Sequence, residues 1–306
     1  MLSPPQRTQH DITIKERELF QLGHLIVFPH PICYTGPGIG ALDRRYCGGF
    51  MLNSTFIHVQ GIGYATERRI WGMGALTWGQ FLGTHQELPL SERKKALIVP
   101  RVEESVVRLA ERDHSFFART LPAKDQWRAV SEFGDEPAYL DIETTGCAWD
   151  DYITVIGVYD GCNMRAFVRG INLDEFPSAI SNSRMLVTFF GSVFDLPFIR
   201  RTFPQLRLDQ LHVDLCFLFR RLGLTGGLKH IEGRLGISRR PEVEGLDGFD
   251  AARLWNEYRR GSREALDLLL TYNKEDVMNM EVLLAYGYAE MARNLNLPLS
   301  AGNIFP

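Results

Sequence analysis

The sequence predicts an α/β protein in which a mixed β-sheet, flanked by helices, follows a smaller and mostly helical N-terminal domain. Two observations support this fold class. Between residues 137 and 190, four short runs rich in β-branched and aromatic residues are separated by turn signals, which is typical of consecutive strands. After residue 190 the pattern becomes mainly helical. Strands followed by helices, with a crossover between two of the strands, indicate a mixed sheet covered on both faces.

Three segments are predicted along the chain. The first 50 residues are rich in Gly and Pro and show no clear hydrophobic period, so we expect an irregular segment with one helix near residues 14–22. A helical domain follows over residues 51–134, and the domain with the sheet covers residues 135–306. The charged stretch SEFGDEP, residues 131–137, marks the predicted boundary.

The helical domain contains a hairpin-like segment over residues 56–83. An apolar run leads into Gly61 and Gly63, and two short helices are predicted after it, the first ended by Gly74 and the second capped by Thr77. The segment resembles a helix-hairpin-helix motif, whose turn lets backbone N–H groups approach a phosphate. The resemblance implies that Gly61 and Gly63 contact nucleic acid. The alternative is a turn that only packs against protein.

The remaining elements follow from local pattern. Residues 91–132 predict helices broken at Pro100 and Pro122, because proline removes a backbone donor and clashes with the preceding turn. The predicted strands are PAYLDIET, DYITVIGVYD, MRAFVRG and RMLVTFF, with a further brief strand near LHVDL. Short connections between the first three strands allow an antiparallel meander, and DEFPSAIS fits a crossover helix before the fourth.

Composition excludes several classes of protein. The chain has 306 residues, 45% of them hydrophobic and 23% charged, as in an ordinary globular protein. No run approaches the roughly 18 apolar residues of a membrane span, and the N-terminus lacks the apolar core of a signal peptide. We therefore expect a cytoplasmic protein without a membrane partner. The five cysteines are widely spaced and form no CxxC pair, so the sequence predicts neither a disulfide framework nor a zinc knuckle.

Basic residues are concentrated in one part of the chain. Residues 200–240 contain nine Arg or Lys against three acids, although the whole chain has a net charge of −3. Arg and Lys supply most of the non-specific affinity for nucleic acid through phosphate contacts, so this segment predicts a DNA or RNA partner. A solvated helical face is the simpler interpretation of the cluster taken alone. The nine are Arg200, Arg201, Arg207, Arg220, Arg221, Lys229, Arg234, Arg239 and Arg240.

Carboxylates recur at positions that could meet in space. Asp141 and Glu143 lie two positions apart at the end of the first predicted strand, and alternate side chains of a strand share a face. Asp195 follows the fourth strand at the start of a helix. Tyr272 and Asp276 stand at i and i+4 on one face of a long predicted helix. Like charges converging in this way need a cation to offset their repulsion, and oxygen ligands suit Mg²⁺ or Mn²⁺.

This set of motifs resembles the DEDD superfamily of 3′–5′ exonucleases on the ribonuclease H-like fold, in its tyrosine branch (DEDDy). In detail it is similar to the YprB-like group of predicted exonucleases. The resemblance spans about residues 136–290 and rests on the motifs DIETTG, FDLPFI and YNKEDV, with LTGGLKHIEGRLGI between the last two. It implies a metal-dependent nuclease that hydrolyses phosphodiester bonds, with single-stranded ends as the expected substrate.

The resemblance also implies roles for the five residues. Asp141 would bridge two divalent cations about 3.5–4 Å apart, and Glu143 and Asp276 would complete the first site. Asp195 would hold the second cation through water. Tyr272 would orient the nucleophilic water, and the four acids with this tyrosine would form the catalytic set.

The chain departs from the family pattern ahead of its second acid motif. Where the family usually has YNGKxFD, residues 189–195 read FFGSVFD, without the Asn amide and the Lys. Phe190 could stack on a base instead, although a core position is the simpler interpretation. Thr144 and Lys229 are the other predicted nucleic-acid contacts, with an exposed helix position as the alternative for Lys229. The rival functions are a non-catalytic nucleic-acid-binding module and an interaction scaffold that docks through the N-terminal aromatic residues.

Overall fold

The computed structural model describes residues 26–28 and 51–295, and its centre is a mixed β-sheet flanked by helices. The described strands are β1 Ile26–Phe28, β2 Pro137–Thr144, β3 Ile153–Tyr159, β4 Met164–Val168, β5 Met185–Thr188 and β6 Leu211–Asp214. Their order in the sheet is β1-β4-β3-β2-β5-β6. Five of them lie within residues 137–214, and β1 is a three-residue edge strand.

The topology confirms the predicted meander and crossover. Strands β2, β3 and β4 pair antiparallel in sequence order, whereas β5 pairs parallel to β2 and β6 pairs parallel to β5. The chain crosses from β4 to β5 through a 3₁₀ turn, Leu173–Glu175, and a short helix, Phe176–Ala179. Strand β1 pairs antiparallel with β4. It lies in the segment for which the sequence predicted no strand, because three residues are too few to show an alternation. The rest of that segment, including the helix predicted near residues 14–22, lies outside the described residues.

Helices precede the sheet and cover both of its faces. Among the described residues five α-helices come before β2, and the first four are α1 Tyr64–Gly72, α2 Trp78–Thr84, α3 Glu92–Ala110 and α4 His114–Thr120. A 3₁₀ helix, Ala123–Ala129, and the short helix α5, Val130–Phe133, lead into the sheet. The later helices are α6 Phe176–Ala179, α7 Asp195–Thr202, α8 Leu215–Arg221, α9 Leu228–Arg234, α10 Gly248–Arg259 and α11 Arg263–Asn294.

Alternation along β2 divides the core between the two faces of the sheet. Leu140 and Ile142 pack with the apolar side chains of α7 on one face. Tyr139 lies in a different cluster with residues of α11, including Val277 and Met280. Asp141 and Glu143 have the same parity as Tyr139, so they face α11. The long helix is therefore placed against the strand that carries the predicted acid pair.

The predicted hairpin helices are present. Gly61 has φ +84° in the turn, α1 begins after Gly63, and Gly74 has φ +91° beyond the end of α1. Thr77 forms a capping box with Gln80 at the start of α2. The expected break at Pro100 is wrong, because α3 continues through it. The lost hydrogen bond is offset by burial on either side of the proline, where two apolar side chains, Ile98 and Val102, are fully buried.

The helical residues share a hydrophobic core with the sheet. One cluster of buried side chains runs from Met51 to Phe133 and continues through Val187 and Val213 of the sheet into α11. The Gln126 side chain accepts a hydrogen bond from the backbone N–H of His212 at 2.7 Å. The five aromatic residues that a scaffold would use for docking are all buried in this cluster: Trp71, Trp78, Phe81, Phe116 and Phe117. Within the described residues, no helix is both long and apolar enough to cross a bilayer.

Candidate metal centre

Three carboxylates meet on the face of the sheet that α11 covers. Oxygen atoms of Asp141, Glu143 and Asp276 lie within 4.8 Å of one another. Asp141 and Glu143 come from β2, and Asp276 comes from the middle of α11. Glu143 and Asp276 are each 6% exposed, whereas Asp141 is half-buried. The first and last sequence motifs thus meet in space although they are far apart in the chain. Asn273, one helical turn before Asp276, comes 132 residues after Asp141.

A glycine on the neighbouring strand lets the long helix approach the acids. Gly157 is opposite Asp141 in the β2–β3 register. A Cβ atom at Gly157 would lie 2.0 Å from Asn273 Oδ1 and 2.8 Å from Val277 Cγ2, so only glycine fits beneath α11 here. Asn273 is fully buried, and its Nδ2 donates to Asp141 Oδ2 at 3.0 Å and to Glu143 Oε1 at 3.3 Å. This amide fixes the two carboxylates of β2 relative to α11.

Asp195 approaches the same centre from the other side of β2. It is the first residue of α7, and its Oδ1 accepts a hydrogen bond from the backbone N–H of Ile142 at 3.1 Å. That N–H is free for this bond because the pairing of β5 with β2 ends at Tyr139. The negative charge of Asp195 is close enough to raise the pKa of Asp141 and of Glu143. Asp195 is therefore a fourth acid of the centre.

The charges of the four acids are incompletely compensated. Burial raises the pKa of Asp141 well above its usual range, and the charges of Asp195, Asp276 and Glu143 raise it further. Burial and Asp276 have the same effect on the pKa of Glu143. Burial raises the pKa of Asp195 to about 7. Each of these carboxylates is therefore costly to ionise without a further cation.

One guanidinium group already pairs with the helix-borne acid. Arg239 Nη1 lies 2.5 Å from Asp276 Oδ1, and the Arg239 side chain is only 5% exposed. Its Nε and Nη2 donate to the two oxygens of buried Glu232 on α9, at 2.6 and 2.7 Å. Asn279 Nδ2 donates to the same carboxylate at 3.0 Å. The pKa of Asp276 is still raised by burial, although Arg239 and Lys229 oppose the rise.

Tyr272 and Lys229 contact each other beside the acids. Tyr272 is 6% exposed, and its pKa is raised by burial and by the charges of Asp276, Glu143 and Asp141. Lys229 Nζ donates to the Tyr272 hydroxyl at 2.9 Å and lies 4.4 Å from the centroid of its ring. The ammonium also donates to the backbone oxygen of Leu246. Lys229 is thus a half-buried residue that points towards the centre, and the alternative of an exposed helix position is wrong.

The other predicted nucleic-acid contacts have different surroundings. Thr144 ends β2, and its hydroxyl donates to the backbone oxygen of Gly146 at 2.7 Å. The core interpretation of Phe190 is wrong, because its side chain is 38% exposed. Gly61 and Gly63 are exposed in the hairpin turn, which belongs to the helical part of the chain. The structure therefore brings the four acids, Tyr272 and Lys229 together, and the hairpin glycines lie outside this group.

Two contributors to the centre were not found from the sequence. Asn273 follows Tyr272 directly, and only the depth of α11 against the sheet reveals that its amide reaches β2. Arg239 is one of the nine basic residues between 200 and 240. Seven of these are exposed, whereas Arg239 and Lys229 turn inward. The one signal for Arg239 was Glu232, an acid within a strongly basic segment.

The donor set fits a hard divalent cation. Carboxylate oxygens are the preferred ligands of Mg²⁺ and Mn²⁺, and three of them lie close enough to share one ion. The raised pKa values of Asp141 and Glu143 indicate that positive charge is still lacking. Asp141, Glu143, Asp276 and Asp195 are therefore the residues that would hold metal.

The fold agrees with one comparison with known protein families. Residues 138–288 match the model of the RNase H superfamily. Among solved structures, one similar chain is a family B DNA polymerase from the hyperthermophilic archaeon Pyrobaculum calidifontis. The two share 17% sequence identity with a TM-score of 0.40, and the match covers 51% of this chain but only 24% of the polymerase chain. No curated protein sequence matches the chain.

Proposed function

We propose that residues 138–288, which form an RNase H superfamily domain, act as a metal-dependent 3′–5′ exonuclease of the tyrosine (DEDDy) branch, similar to the YprB-like group. The observation that carries this proposal is the convergence of Asp141, Glu143 and Asp276 within 4.8 Å, with Asp195 beside them. Bringing together four acids from three separate sequence motifs costs free energy, because their negative charges repel one another. A bound cation would offset this repulsion, and such a costly arrangement is typical of functional sites.

Two Mg²⁺ or Mn²⁺ ions would supply an activated water and neutralise the charge that develops on the phosphate. The protein would hold them through Asp141, Glu143, Asp276 and Asp195. Asn273 orients the first two carboxylates, because its amide donates to both. The orientation is set before any ligand arrives, since Asn273 is itself fixed in the core between α11 and the sheet.

Tyr272 would orient the attacking water through its hydroxyl. The hydroxyl is protonated at neutral pH, since the pKa of tyrosine is ordinarily well above 7 and is raised further here, so the group can donate to one oxygen and accept from another. Lys229 donates to this hydroxyl and thereby restricts its rotation. The ammonium also adds positive charge beside the acids, where the phosphate of a substrate would have to lie. This position supports the predicted phosphate contact of Lys229.

Nucleic acid is the substrate that these features favour. Seven of the nine basic residues between 200 and 240 are exposed, and two of these, Arg221 and Arg240, pair with acids of the protein. The other exposed guanidinium groups would contact phosphates. In the helical part, Gly61 and Gly63 are exposed in a turn in which Gly61 has φ +84°, and we infer that this turn contacts the backbone of the same strand. Thr144 would act at the end of β2. We propose single-stranded ends of DNA or RNA as substrates of a cytoplasmic enzyme.

One observation favours a non-catalytic alternative. Arg239 supplies a permanent positive charge to Asp276 at 2.5 Å, which partly replaces the charge of a cation. A nucleic-acid-binding module that had lost turnover would keep this pair, the basic surface and the hairpin. Such a module would bind single strands without consuming them in Mg²⁺.

Digestion of end-labelled oligonucleotides distinguishes the two functions. Wild-type protein should shorten 5′-labelled single strands stepwise in Mg²⁺ or Mn²⁺ and leave them intact in chelator. Asp141→Asn should abolish this release while leaving circular dichroism unchanged, and Glu242→Gln, an exposed acid, serves as the matched control. Activity that survives Asp141→Asn would remove the assignment. Binding of the strand without metal-dependent shortening would favour the non-catalytic module.

A further inference from the structure

An exposed phenylalanine next to the centre is held in an unfavourable backbone conformation. Phe190 has φ +67°, in the left-handed region that a bulky residue rarely adopts. Its side chain is nevertheless 38% exposed, so burial of the ring does not offset the strain. The turn is also tight, because a Cβ atom on the following Gly191 would lie 2.4 Å from Thr188 Oγ1. Strain that is preserved in this way is characteristic of functional positions.

A single carboxylate fixes this turn and the helix beside it. Asp214 Oδ1 accepts from the backbone N–H of Phe190 at 2.9 Å and from that of Cys216 at 3.1 Å. Its Oδ2 accepts from the backbone N–H of Ser192 at 3.0 Å and from the Ser192 hydroxyl at 2.5 Å. Asp214 is also the N-cap of α8. The turn after β5 and the first turn of α8 are thus joined rigidly at one group.

The two segments present a pair of aromatic rings to solvent. Phe217, in the first turn of α8, is 37% exposed, and its ring centroid lies 6.1 Å from that of Phe190 with a tilt of 32°. The guanidinium carbon of Arg220, an exposed residue, lies 5.1 Å from the centroid of the Phe217 ring. A flat ring inserted between two others needs about 7 Å at van der Waals spacing. A base would therefore stack on the outer surface of the pair.

The two rings lie at the same end of the strands as the acids. Strands β2, β5 and β6 are parallel, so their C-terminal ends lie on one side of the sheet. Glu143 lies near that end of β2, Phe190 follows β5, and Phe217 follows β6. The charge of Asp214 is felt at Asp195, whose pKa it helps to raise. The residue that anchors both rings is thus close to a proposed metal ligand.

We propose that Phe190 and Phe217 form a stacking platform for an unpaired base of single-stranded nucleic acid whose end enters the metal centre. This inference rests on the proposed function and names the kind of substrate: a strand with at least one unstacked base near its end. Arg220 would contact the adjoining phosphate, and its position over Phe217 lets it support the same base by cation–π contact. An aromatic surface with a basic rim, next to buried acids, favours a nucleotide strand over an apolar protein segment.

The platform can be removed without disturbing the backbone that carries it. Phe190→Gly removes the ring and suits the left-handed conformation, and Phe217→Ala truncates a partly exposed ring within a helix. Phe217→Trp restores a stacking surface. Val107→Ala, which truncates an apolar side chain that is 54% exposed on α3, is the matched control.

Fluorescence anisotropy with labelled 12-nucleotide strands tests the proposal, with Ca²⁺ in place of Mg²⁺ and intact probe verified after each titration. Phe190→Gly and Phe217→Ala should each weaken binding by about fivefold or more, whereas Val107→Ala and Phe217→Trp should bind as wild type. A strand with abasic sites at its last three positions should bind wild type and both ring variants equally. Unchanged affinity in the ring variants, or the same loss on the abasic strand, would overturn the platform.

Binding and hydrolysis are separate readouts in this design. If the rings are needed for binding but no variant or wild-type sample hydrolyses the strand in Mg²⁺, the platform stands and the exonuclease proposal fails. If hydrolysis is intact while the ring variants bind normally, the exonuclease proposal stands and the platform is wrong.

Discussion

Replacing Asp195 by Asn should make the metal-free protein more stable at pH 8, although it removes a proposed metal ligand. The Asp195 side chain is 3% exposed, and burial, assisted by the charges of Asp214 and Asp276, raises its pKa from the usual 3.8 to about 7. The unfolded chain therefore releases this proton above about pH 4, whereas the folded protein keeps it up to about pH 7. Because the folded pKa is raised, the stability of the wild type falls as the pH rises through this window.

The size of the effect follows from the pKa. A rise from 3.8 to about 7, at about 1.36 kcal/mol per pH unit, corresponds to on the order of 4 kcal/mol. Asn retains the oxygen that accepts from Ile142 N–H, so the change mainly removes a charge. We expect Asp195→Asn to gain up to this amount at pH 8 and less than half of it at pH 5.

Urea unfolding in chelator, at both pH values, measures the difference between wild type and Asp195→Asn. Glu242→Gln, at an exposed position, controls for the loss of a surface charge. Saturating Mg²⁺ should reverse the order at pH 8, because a cation that binds only the folded state stabilises the wild type. A variant less stable than wild type in chelator at pH 8, or a gain of equal size at pH 5, would refute the reasoning.

Three further substitutions test how the centre is assembled. Arg239→Met should lower the free energy of unfolding by about 3 to 5 kcal/mol, because it leaves the buried carboxylates of Glu232 and Asp276 without their partner. A urea titration that shows no loss of stability would contradict this role of Arg239. Tyr272→Phe should leave metal uptake, measured by calorimetry, unchanged and slow metal-dependent release about 100-fold, whereas an equal rate would exclude a role for the hydroxyl. Gly157→Ala places a methyl group against Asn273, so it should lower the free energy of unfolding by about 1 to 3 kcal/mol and weaken Mg²⁺ uptake. Wild-type values in thermal unfolding and calorimetry would show that α11 tolerates the displacement.

The parts of the fold that depend on local pattern could be predicted from the sequence. The meander, the crossover and the hairpin helices follow from alternation, turn residues and caps, and Thr77 caps α2 as predicted. Pro100 was misinterpreted, because the local cost of a proline within a helix was outweighed by burial that only the tertiary structure supplies. Strand β1 was missed because its partner, β4, lies more than 130 residues away in the chain.

The same distinction applies to the candidate centre. The spacing of Asp141 and Glu143 places both on one face by the period of a strand alone. The inward turn of Arg239 could not be predicted, because its charge is satisfied by Glu232 and Asp276, which no spacing rule connects. Phe190 was misjudged because phenylalanine is usually buried, and only its backbone conformation and exposure show that this one is not.

The apolar cluster that the helical residues share with the sheet connects the hairpin turn to the metal centre through packed side chains. Ile62 of the hairpin turn, Trp127 and Tyr288 of α11 all belong to this cluster, and the ring centroids of Trp127 and Tyr288 are 5.9 Å apart. We therefore expect a constant distance between the turn and the acids. A nucleic-acid strand bound at the hairpin turn and at the metal centre would have a constant number of nucleotides between the two. Long single strands should then be trimmed rapidly to one remnant length, set by that number and independent of base sequence, which a sequencing gel would resolve as a single terminal band.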